Sequence, residues 1–176
     1  MKLIEISDEY QKQVMEYRKA CLDHGEEAIH GGGELDQYEC FDAWKRWNHA
    51  HEQQETLPLD RVRSKQFLFI DETSRQLIGL LNLRYELNAY LLQYGGHIGY
   101  SIHPNKRKQG YAILMLKEAC KECKKLGLDR ILLICDKENT ASAKTIQHCG
   151  GILEDEVMEG TAVLQRYWID LKEVSA

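Results

Sequence analysis

The sequence predicts a single α/β (α+β) domain, residues 1–176, in which a mixed sheet is flanked by helices. The first observation is the order of its segments, which reads strand, two helices, three strands, helix, strand, helix, two strands. The second is a hairpin pattern, two strand-like runs joined by the turn "DETSR". The third is a strand, helix, strand succession over residues 97–135, which predicts a right-handed crossover between parallel strands.

The first part of the chain predicts one short strand, "KLIEI", and two helices. From Asp8 to about Asp23, apolar side chains recur at spacings of four, three and four, which is typical of an amphipathic helix. A glycine-rich loop, "HGGGELDQYE", leads to a second helix over about 36–53. Trp44 and Trp47 stand three residues apart on that helix, and we interpret both as core residues.

The middle of the chain predicts three strands. A connection around Pro58, over residues 54–64, leads to the paired runs "KQFLFID" and "RQLIGLLNLRY". The segment "ELNAYLLQYGG" reads as short helical or irregular structure that two glycines end. "HIGYSI" is the third strand, and Pro104 stops it.

The last part of the chain predicts two helices and three strands. One helix covers about 110–126, with Gly127 as its C-terminal stop. "DRILLICD" is a continuous apolar run, as buried central strands tend to be. Asn139 can cap a helix that continues to about His148. "GGILEDEVM" and "LQRYWIDL" are the final strands.

Composition narrows the class of protein. Hydrophobic residues make up 43% and charged residues 29% of the chain, as in ordinary globular proteins. No apolar run approaches the roughly 20 residues that cross a bilayer, and the charged start lacks the apolar core of a secretion signal. We therefore expect a cytoplasmic protein with no membrane partner. Nucleic acid is a poor partner, because the formal net charge is −5 and no basic stripe carries interleaved aromatic residues.

Six cysteines are scattered through the chain, as expected of a reduced protein. Cys120 and Cys123 form a CxxC pattern, but at helical spacing they share a face with Ile113 and Leu116. Packing as small apolar residues is therefore favoured over a metal or redox role. A zinc site usually shows a second ligand pair, so we expect no metal.

Charge is unevenly distributed along the sequence. Residues 1–60 carry six Lys and Arg against fourteen Asp and Glu, and residues 103–130 carry eight against three. Three cations and a glycine, Lys106 to Lys108 and Gly110, precede a helix, where the macrodipole favours acids instead. Because the first N–H groups of a helix lack partners inside it, this pattern predicts a phosphate site. A surface turn without a ligand is the alternative.

Three segments, in this order, resemble the GCN5-related N-acetyltransferase (GNAT) family. "HIGYSIHP" resembles the family's fourth strand, "RKQGYA" its R-x-x-G-x-A pyrophosphate loop, and "LLICDKENTASAKTIQHCGG" its fifth strand and following helix. The resemblance covers about residues 66–170. It implies a mostly antiparallel sheet of six to seven strands, acetyl-CoA as co-substrate, and transfer of an acetyl group by direct attack of a primary amine, without a covalent acyl-enzyme.

The resemblance also implies where acetyl-CoA would lie. The backbone amides from Arg107 to Ala112 would hold the pyrophosphate, and Ile102 would offer main-chain hydrogen bonds to the pantetheine arm. Asn139 and Ser142 would lie alongside that arm. An amide near the middle of the fourth strand would polarise the thioester carbonyl. The implied cofactor-binding residues are Ile102, Arg107, Lys108, Gln109, Gly110, Tyr111, Ala112, Asn139 and Ser142.

The proton-transfer groups are less defined. Many family members carry a tyrosine seven residues after the asparagine, which protonates the leaving thiolate, and here that position is Ile146. Another group could serve, the thiolate could leave unprotonated, or the protein could be inactive. Possible substitutes are Tyr100, Tyr111 and Tyr167. Candidates for the base, by expected location, are Glu86, His97 and Asp136.

The acceptor is expected to lie against residues 8–60 together with "LNAYLLQYGG". Acidic residues there could attract the amine of a small molecule or peptide, namely Glu26, Glu27, Glu34 and Asp36. Two rival readings stay open: a GNAT-fold module that holds acyl-CoA as a sensor without turnover, and a protein that binds no CoA. A homodimer is also compatible with the sequence.

Overall fold

A computed structural model describes residues 1–53, 57 and 60–172. Helices flank β-sheets, as predicted, and the fold class is confirmed. The strands are β1 (Lys2–Glu5), β2 (Ser64–Asp71), β3 (Gln76–Arg84), β4 (Ile98–Ile102), β5 (Arg130–Asp136), β6 (Ile152–Glu159) and β7 (Ala162–Asp170). The helices are α1 (Gln11–Asp23), α2 (Phe41–Ala50), α3 (Tyr111–Lys125) and α4 (Thr140–His148).

The described strands form two sheets rather than one. The first has the order β1-β2-β3-β4 and the second β5-β7-β6. Every hydrogen-bonded pair of neighbouring strands in them is antiparallel. The expectation of a crossover between parallel strands of one mixed sheet is therefore wrong, because β4 and β5 belong to different sheets.

The two sheets meet where β4 begins. The backbone N–H of His97 donates to the carbonyl of Leu132 at 2.8 Å, and the N–H of Leu132 donates to Nδ1 of His97 at 2.9 Å. No further backbone hydrogen bond joins β4 to β5 in the described part of the chain. The free edge of β4 beyond this contact borders a cleft.

Burial of His97 predicts a pH dependence of stability. The side chain is 7% exposed, and burial lowers the pKa of His97 to about 4. An unfolded chain has a histidine pKa near 6.5, so the unfolded state binds the extra proton between these values. We expect the contribution of neutral His97 to the free energy of unfolding to be complete above pH 6.5. The free energy of unfolding should then fall by about 2–3 kcal/mol as the pH drops to 4. Chemical denaturation of the wild type and His97→Gln across that range measures it. Parallel curves for the two proteins would contradict the prediction.

Alternation along β2 divides the interior into two apolar cores. Phe67 and Phe69 face a core shared with α3, α4 and the second sheet, whereas Leu68 and Ile70 face α1 and α2. Trp44 is fully buried in the α1–α2 core, as predicted. The two cores fix the first sheet from both sides, and this sheet carries β4 to the cleft.

The CxxC cysteines pack in the core, as predicted. Cys120 and Cys123 are both buried on α3, and their thiols are free. Burial raises the pKa of each thiol to about 12, so neither thiol is ionised near neutral pH. They stabilise the contact of α3 with the sheets through apolar packing.

Several predicted elements differ in their bounds. The first helix begins at Gln11 rather than at Asp8, because residues Asp8–Tyr10 form a separate 3₁₀ turn. The second helix begins at Phe41 rather than near 36, because residues Leu35–Gln37 form a separate 3₁₀ turn and Cys40 is extended. "ELNAYLLQYGG" contains one π-helical turn, Leu91–Gly95. The predicted connection around Pro58 falls partly on residues 54–56 and 58–59, which lie outside the described residues.

Candidate active site

Two cavities share part of their lining. The first, called the cleft cavity, has a volume of about 930 Å³ and lies between β4, the start of α3 and α4. The second, called the loop cavity, has a volume of about 980 Å³ and lies between the loop of residues 28–37, α2 and the segment 88–91. Ala28 and His30 line both. The cavities therefore adjoin at residues 28–30.

The start of α3 presents a run of unpaired backbone N–H groups to the cleft cavity. Gly110 is the N-cap, and no side chain caps the helix. The amides from Lys108 to Ala112 have no hydrogen-bond partner among the described residues, whereas the amide of Ile113 donates to the carbonyl of Gly110. Free amides and the macrodipole together give this end of the helix an affinity for anions.

Gly110 keeps the space above these amides open. Its φ is +81°, a left-handed conformation that glycine adopts without steric cost. A Cβ built on Gly110 meets no heavy atom within 4 Å. Glycine at this position is therefore explained by its backbone conformation and by access to the cavity, because no neighbouring atom would clash with a side chain.

The cations of the basic turn do not all point into the cavity. The Nε of Arg107 donates to the carbonyl of Ile102 at 2.9 Å, and its Nη2 pairs with Glu26 at 2.5 Å. Lys106 donates to the side chain of Gln76. Gln109 reaches back to the Asn105 carbonyl at 3.4 Å. Lys108, with a φ of +60°, is exposed and lines the cavity.

The edge of β4 supplies further free main-chain groups. On the β3 side, the carbonyl of His97 accepts from the N–H of Arg84, and the N–H of His103 donates to the carbonyl of Ile78. Because alternate residues of an antiparallel strand bond to the same neighbour, Tyr100 and Ile102 turn their N–H and C=O groups away from β3, toward the cleft. The Ile102 carbonyl is already bound by Arg107, so only its N–H is available to a ligand.

The wall of the cleft cavity opposite β4 is the start of α4. The side chain of Asn139 caps this helix by accepting from the N–H of Ser142 at 3.1 Å. The Ser142 hydroxyl is hydrogen-bonded to the Tyr100 hydroxyl at 2.9 Å. Burial raises the pKa of Tyr100 to about 12. Tyr100 is therefore a protonated hydroxyl, held in place at the cavity wall.

The other tyrosine positions have different surroundings. Ile146, where many members of the family carry the tyrosine, is fully buried in the core. Tyr167 is buried as well, and its hydroxyl donates to Gln165 at 2.7 Å, away from either cavity. Tyr111 lines the cleft cavity as the first residue of α3. The structure thus brings Tyr100 and Tyr111 to the cavity but leaves Tyr167 in the core.

The loop cavity is shaped by carbonyl groups of the glycine loop that side chains hold in place. The indole of Trp44 donates to the Gly32 carbonyl at 2.8 Å, and Gln66 donates to the Gly31 carbonyl at 2.8 Å. A Cβ on Gly31 would overlap the carbonyl of Gly99 on β4. Glycine is therefore required where the loop crosses β4, next to the junction of the two cavities.

The acidic residues expected to attract the acceptor are largely engaged by other groups. Glu26 is paired with Arg107, and Glu34 with Arg61 at 2.8 Å. One oxygen of Asp36 accepts from the N–H of Ile29 at 3.2 Å. Glu27 is exposed and lines the cleft cavity. The loop cavity is lined by Glu34 and Asp36, as expected of the acceptor side, but their charges are compensated or hydrogen-bonded.

An aromatic pair forms part of the same wall. Trp47 is half-buried, lines the loop cavity and contacts His51, with ring centroids 4.2 Å apart and ring planes tilted by 51°. The interpretation of Trp47 as a core residue is therefore incomplete, because one side of its indole contributes to the cavity surface.

His30 lies at the junction of the two cavities, and it was not among the residues that the sequence singled out. Its side chain is exposed, and it is the one titratable residue that lines both cavities in the described part of the chain. A histidine in a glycine loop carries no local signal. Its position becomes informative only once Gly31 is seen to cross β4 next to Tyr100.

None of the three base candidates from the sequence lines either cavity. Glu86 is paired with Arg63 at 3.2 Å and lines neither cavity. Asp136 is exposed at the end of β5, where its side chain accepts from the Glu138 N–H at 2.7 Å. His97 is buried between the sheets and accepts from the Leu132 N–H. Each of the three therefore has a local structural partner.

The described residues hold no sign of a metal centre or a membrane span. Within residues 1–53, 57 and 60–172, no three potential metal ligands cluster. Over the same ranges, no helix combines the length and apolar character that a bilayer requires.

Comparison with known proteins agrees with this geometry. The structure is similar to a chimera of the spermidine N-acetyltransferase SpeG from Vibrio cholerae with hSSAT, at 18% identity, covering 99% of each chain with a TM-score of 0.69. It is also similar to the ribosomal-protein-S5-alanine acetyltransferase from Vibrio fischeri, at 15% identity, covering 99% of this chain and 94% of that one with a TM-score of 0.69. At this level of identity, these likenesses show the fold.

No curated protein sequence matches the chain. The family model described as "Acetyltransferase (GNAT) domain" matches residues 13–152, which include the basic turn, both cavity walls and the glycine loop. The chain therefore belongs to the GNAT family of acetyltransferases.

Proposed function

We propose that this protein transfers an acetyl group from acetyl-CoA to a primary amine by direct attack of the amine on the thioester. The observation that carries the proposal is the run of free amides from Lys108 to Ala112, which opens on the cleft cavity. A diphosphate fits there because it needs several donors close together and a positive environment. Asn139 and Ser142 would lie along the pantetheine arm.

In the proposed reaction the acceptor amine enters from the loop cavity. His30 takes a proton from the ammonium, and the freed nitrogen forms a bond to the thioester carbon. The N–H of Tyr100, on the free edge of β4, stabilises the oxyanion that develops. The nitrogen loses its second proton to solvent, the carbon–sulfur bond breaks, and the thiolate takes the proton of the Tyr100 hydroxyl. Solvent returns a proton to Tyr100 through Ser142, to which it is hydrogen-bonded.

Tyr100 replaces the tyrosine that is absent at position 146. Its elevated pKa keeps it protonated near neutral pH. Because an ordinary thiol, with a pKa of about 8.5, is the stronger acid, the transfer to sulfur is completed by the proton that solvent returns to Tyr100 through Ser142. We expect Tyr100→Phe to lower kcat for thiol release about 10- to 100-fold, with little change in acetyl-CoA affinity. Steady-state kinetics with the best amine, and calorimetry with acetyl-CoA, measure the two effects.

Tyr167→Phe is the matched control for that experiment. It removes a buried hydroxyl that donates to Gln165 and lies outside both cavities. Each change costs about 1 kcal/mol of stability, but only Tyr100→Phe should slow turnover. Equal kcat values for the two variants would rule out Tyr100 as the acid.

The test of the proposed function is acetyl-CoA-dependent thiol release with a panel of amines, with the acetylated product identified by mass. Release that requires both acetyl-CoA and an amine supports it. Saturable acetyl-CoA binding without thiol release from any amine would favour the alternative function, an acyl-CoA sensor. The absence of a tyrosine at position 146 supports that alternative. If acetyl-CoA does not bind, both the acetyltransferase and the acyl-CoA sensor functions are excluded.

A further inference from the structure

Arg84 places a largely buried cation at the wall of the loop cavity. It is the last residue of β3, and its backbone N–H donates to the His97 carbonyl at 2.8 Å. Its Nη1 donates to the carbonyls of Gly95 and Gly96 at 3.1 and 2.9 Å. These bonds use one end of the guanidinium and fix its plane. Burial lowers the pKa of Arg84, yet an arginine stays charged in proteins.

Among the residues that the structure describes, no carboxylate compensates this charge. Within the described residues, no Asp or Glu oxygen lies within 4.0 Å of the guanidinium nitrogens of Arg84. The charged groups that act on it are Arg61, which is itself a cation, and the hydroxyl of Tyr90. A largely buried cation without a counter-ion destabilises a protein unless a ligand supplies the opposite charge.

The unused side of the guanidinium faces the region where the two cavities adjoin. Nη2 of Arg84 lies 4.0 Å from the position that a Cβ on Gly99 would take. Gly99 immediately precedes Tyr100, whose N–H faces the cleft. Nη2 has no hydrogen-bond partner among the described residues, and Arg84 lines the loop cavity.

We propose that Arg84 binds a carboxylate of the acceptor, so that the acceptor is an amino acid or another amine that carries a carboxylate a few bonds away. This inference rests on the proposed acetyl transfer. A planar guanidinium held by two carbonyls presents paired N–H groups, which is the arrangement that binds a carboxylate most strongly. The short distance from Arg84 to Gly99 favours a short spacing between the carboxylate and the reacting amine.

Among the other charged side chains that line the loop cavity, none is as suited as Arg84 to bind the acceptor carboxylate. Arg61 is half-exposed and engaged by Glu34. Asp36 is hydrogen-bonded to Ile29, and the Asp60 side chain is exposed. A polyamine would bring two or more further cations beside Arg84 and Arg61, which like-charge repulsion disfavours. Beside Arg84 the cavity therefore favours a carboxylate over a further ammonium group.

Matched acceptors test the proposal directly. Each common amino acid is assayed beside its carboxamide and its decarboxylated amine, with acetyl-CoA, and dipeptides test whether the carboxylate can lie further from the amine. Spermidine is included. For the best series we expect kcat/KM for the free carboxylate to exceed that for the carboxamide at least about 100-fold, as a site with an otherwise unpaired buried group discriminates strongly.

Variants separate recognition from support of the fold. Arg84→Met should reduce that preference to within about 10-fold, and Arg84→Lys should retain part of it. A merely structural loss would lower kcat/KM for carboxylate and carboxamide by the same factor and leave their ratio unchanged. Arg63→Gln, which removes an arginine paired with Glu86 outside both cavities, should leave the ratio as in the wild type.

The outcomes are distinguishable. If amines are acetylated but carboxamides or spermidine are used as well as carboxylates, or if Arg84→Met keeps the preference, this inference is overturned while the proposed function stands. If acetyl-CoA binds but no amine in the panel releases thiol, both are overturned.

Discussion

Gly110→Glu is expected to weaken acetyl-CoA binding at least about 100-fold, equivalent to about 2.7 kcal/mol. The new carboxylate would stand over the amides from Lys108 to Ala112, where the pyrophosphate is proposed to bind, and would repel it. The side chain has room, since no heavy atom lies within 4 Å of its Cβ position. Calorimetric titration with acetyl-CoA measures the loss.

Gly127→Glu is the matched control. Gly127 follows the other end of α3, has a φ of +78°, and also has no heavy atom within 4 Å of its Cβ position. Both substitutions therefore cost about 1–2 kcal/mol in left-handed backbone strain and change the net charge equally. Only Gly110→Glu should lose binding. Comparable affinities for the two variants would show that acetyl-CoA binds elsewhere or not at all.

His30→Ala is expected to lower kcat about 100-fold while acetyl-CoA affinity changes by less than about twofold. The reason is the position of His30, the titratable side chain that borders both cavities and can take a proton from an amine arriving from the loop cavity. Steady-state kinetics at saturating acetyl-CoA measure kcat. Added imidazole should restore part of the rate, because a small base can enter the space left by the side chain.

His24→Ala controls for the loss of an exposed histidine. His24 lies at the C-terminal end of α1 and lines neither cavity. Its substitution should leave kcat unchanged. A His30→Ala variant with wild-type kcat, or one whose lost activity imidazole cannot restore at any concentration, would remove His30 from the role of base.

The sequence was sufficient for features whose physical cause is local. Periodic apolar residues predicted α1 and α3, the Asn139 cap predicted α4, and the turn "DETSR" predicted the β2–β3 hairpin, because these elements form from neighbours in the chain. The free amides at the start of α3 follow from helix geometry itself, which leaves the first N–H groups without partners. The resemblance to the GNAT family, confirmed by the family model, rests on the same local segments.

The sequence was insufficient where function depends on distant residues. His30, Arg84 and Gly99 come together only because the glycine loop crosses β4, and no local pattern encodes that contact. Glu86 and Asp136 looked like bases from their strand positions, but the sequence could not show their partners, Arg63 and the Glu138 N–H. Likewise, the separation of β4 from β5 arises from the packing of the two sheets, which segment order does not reveal.

The crossing of Gly31 over Gly99 has a consequence for how this enzyme can diversify. Two main chains touch there with no side chain between them, so any substitution that adds a Cβ at Gly31 would be selected against. The next two loop residues are constrained as well, because a Cβ on Gly32 would overlap Ile29 and one on Gly33 would overlap the side chains of Asn48 and Gln66. The crossing and these two neighbours must therefore stay glycine. Variation in which amine is accepted is therefore expected at loop positions outside residues 31–33.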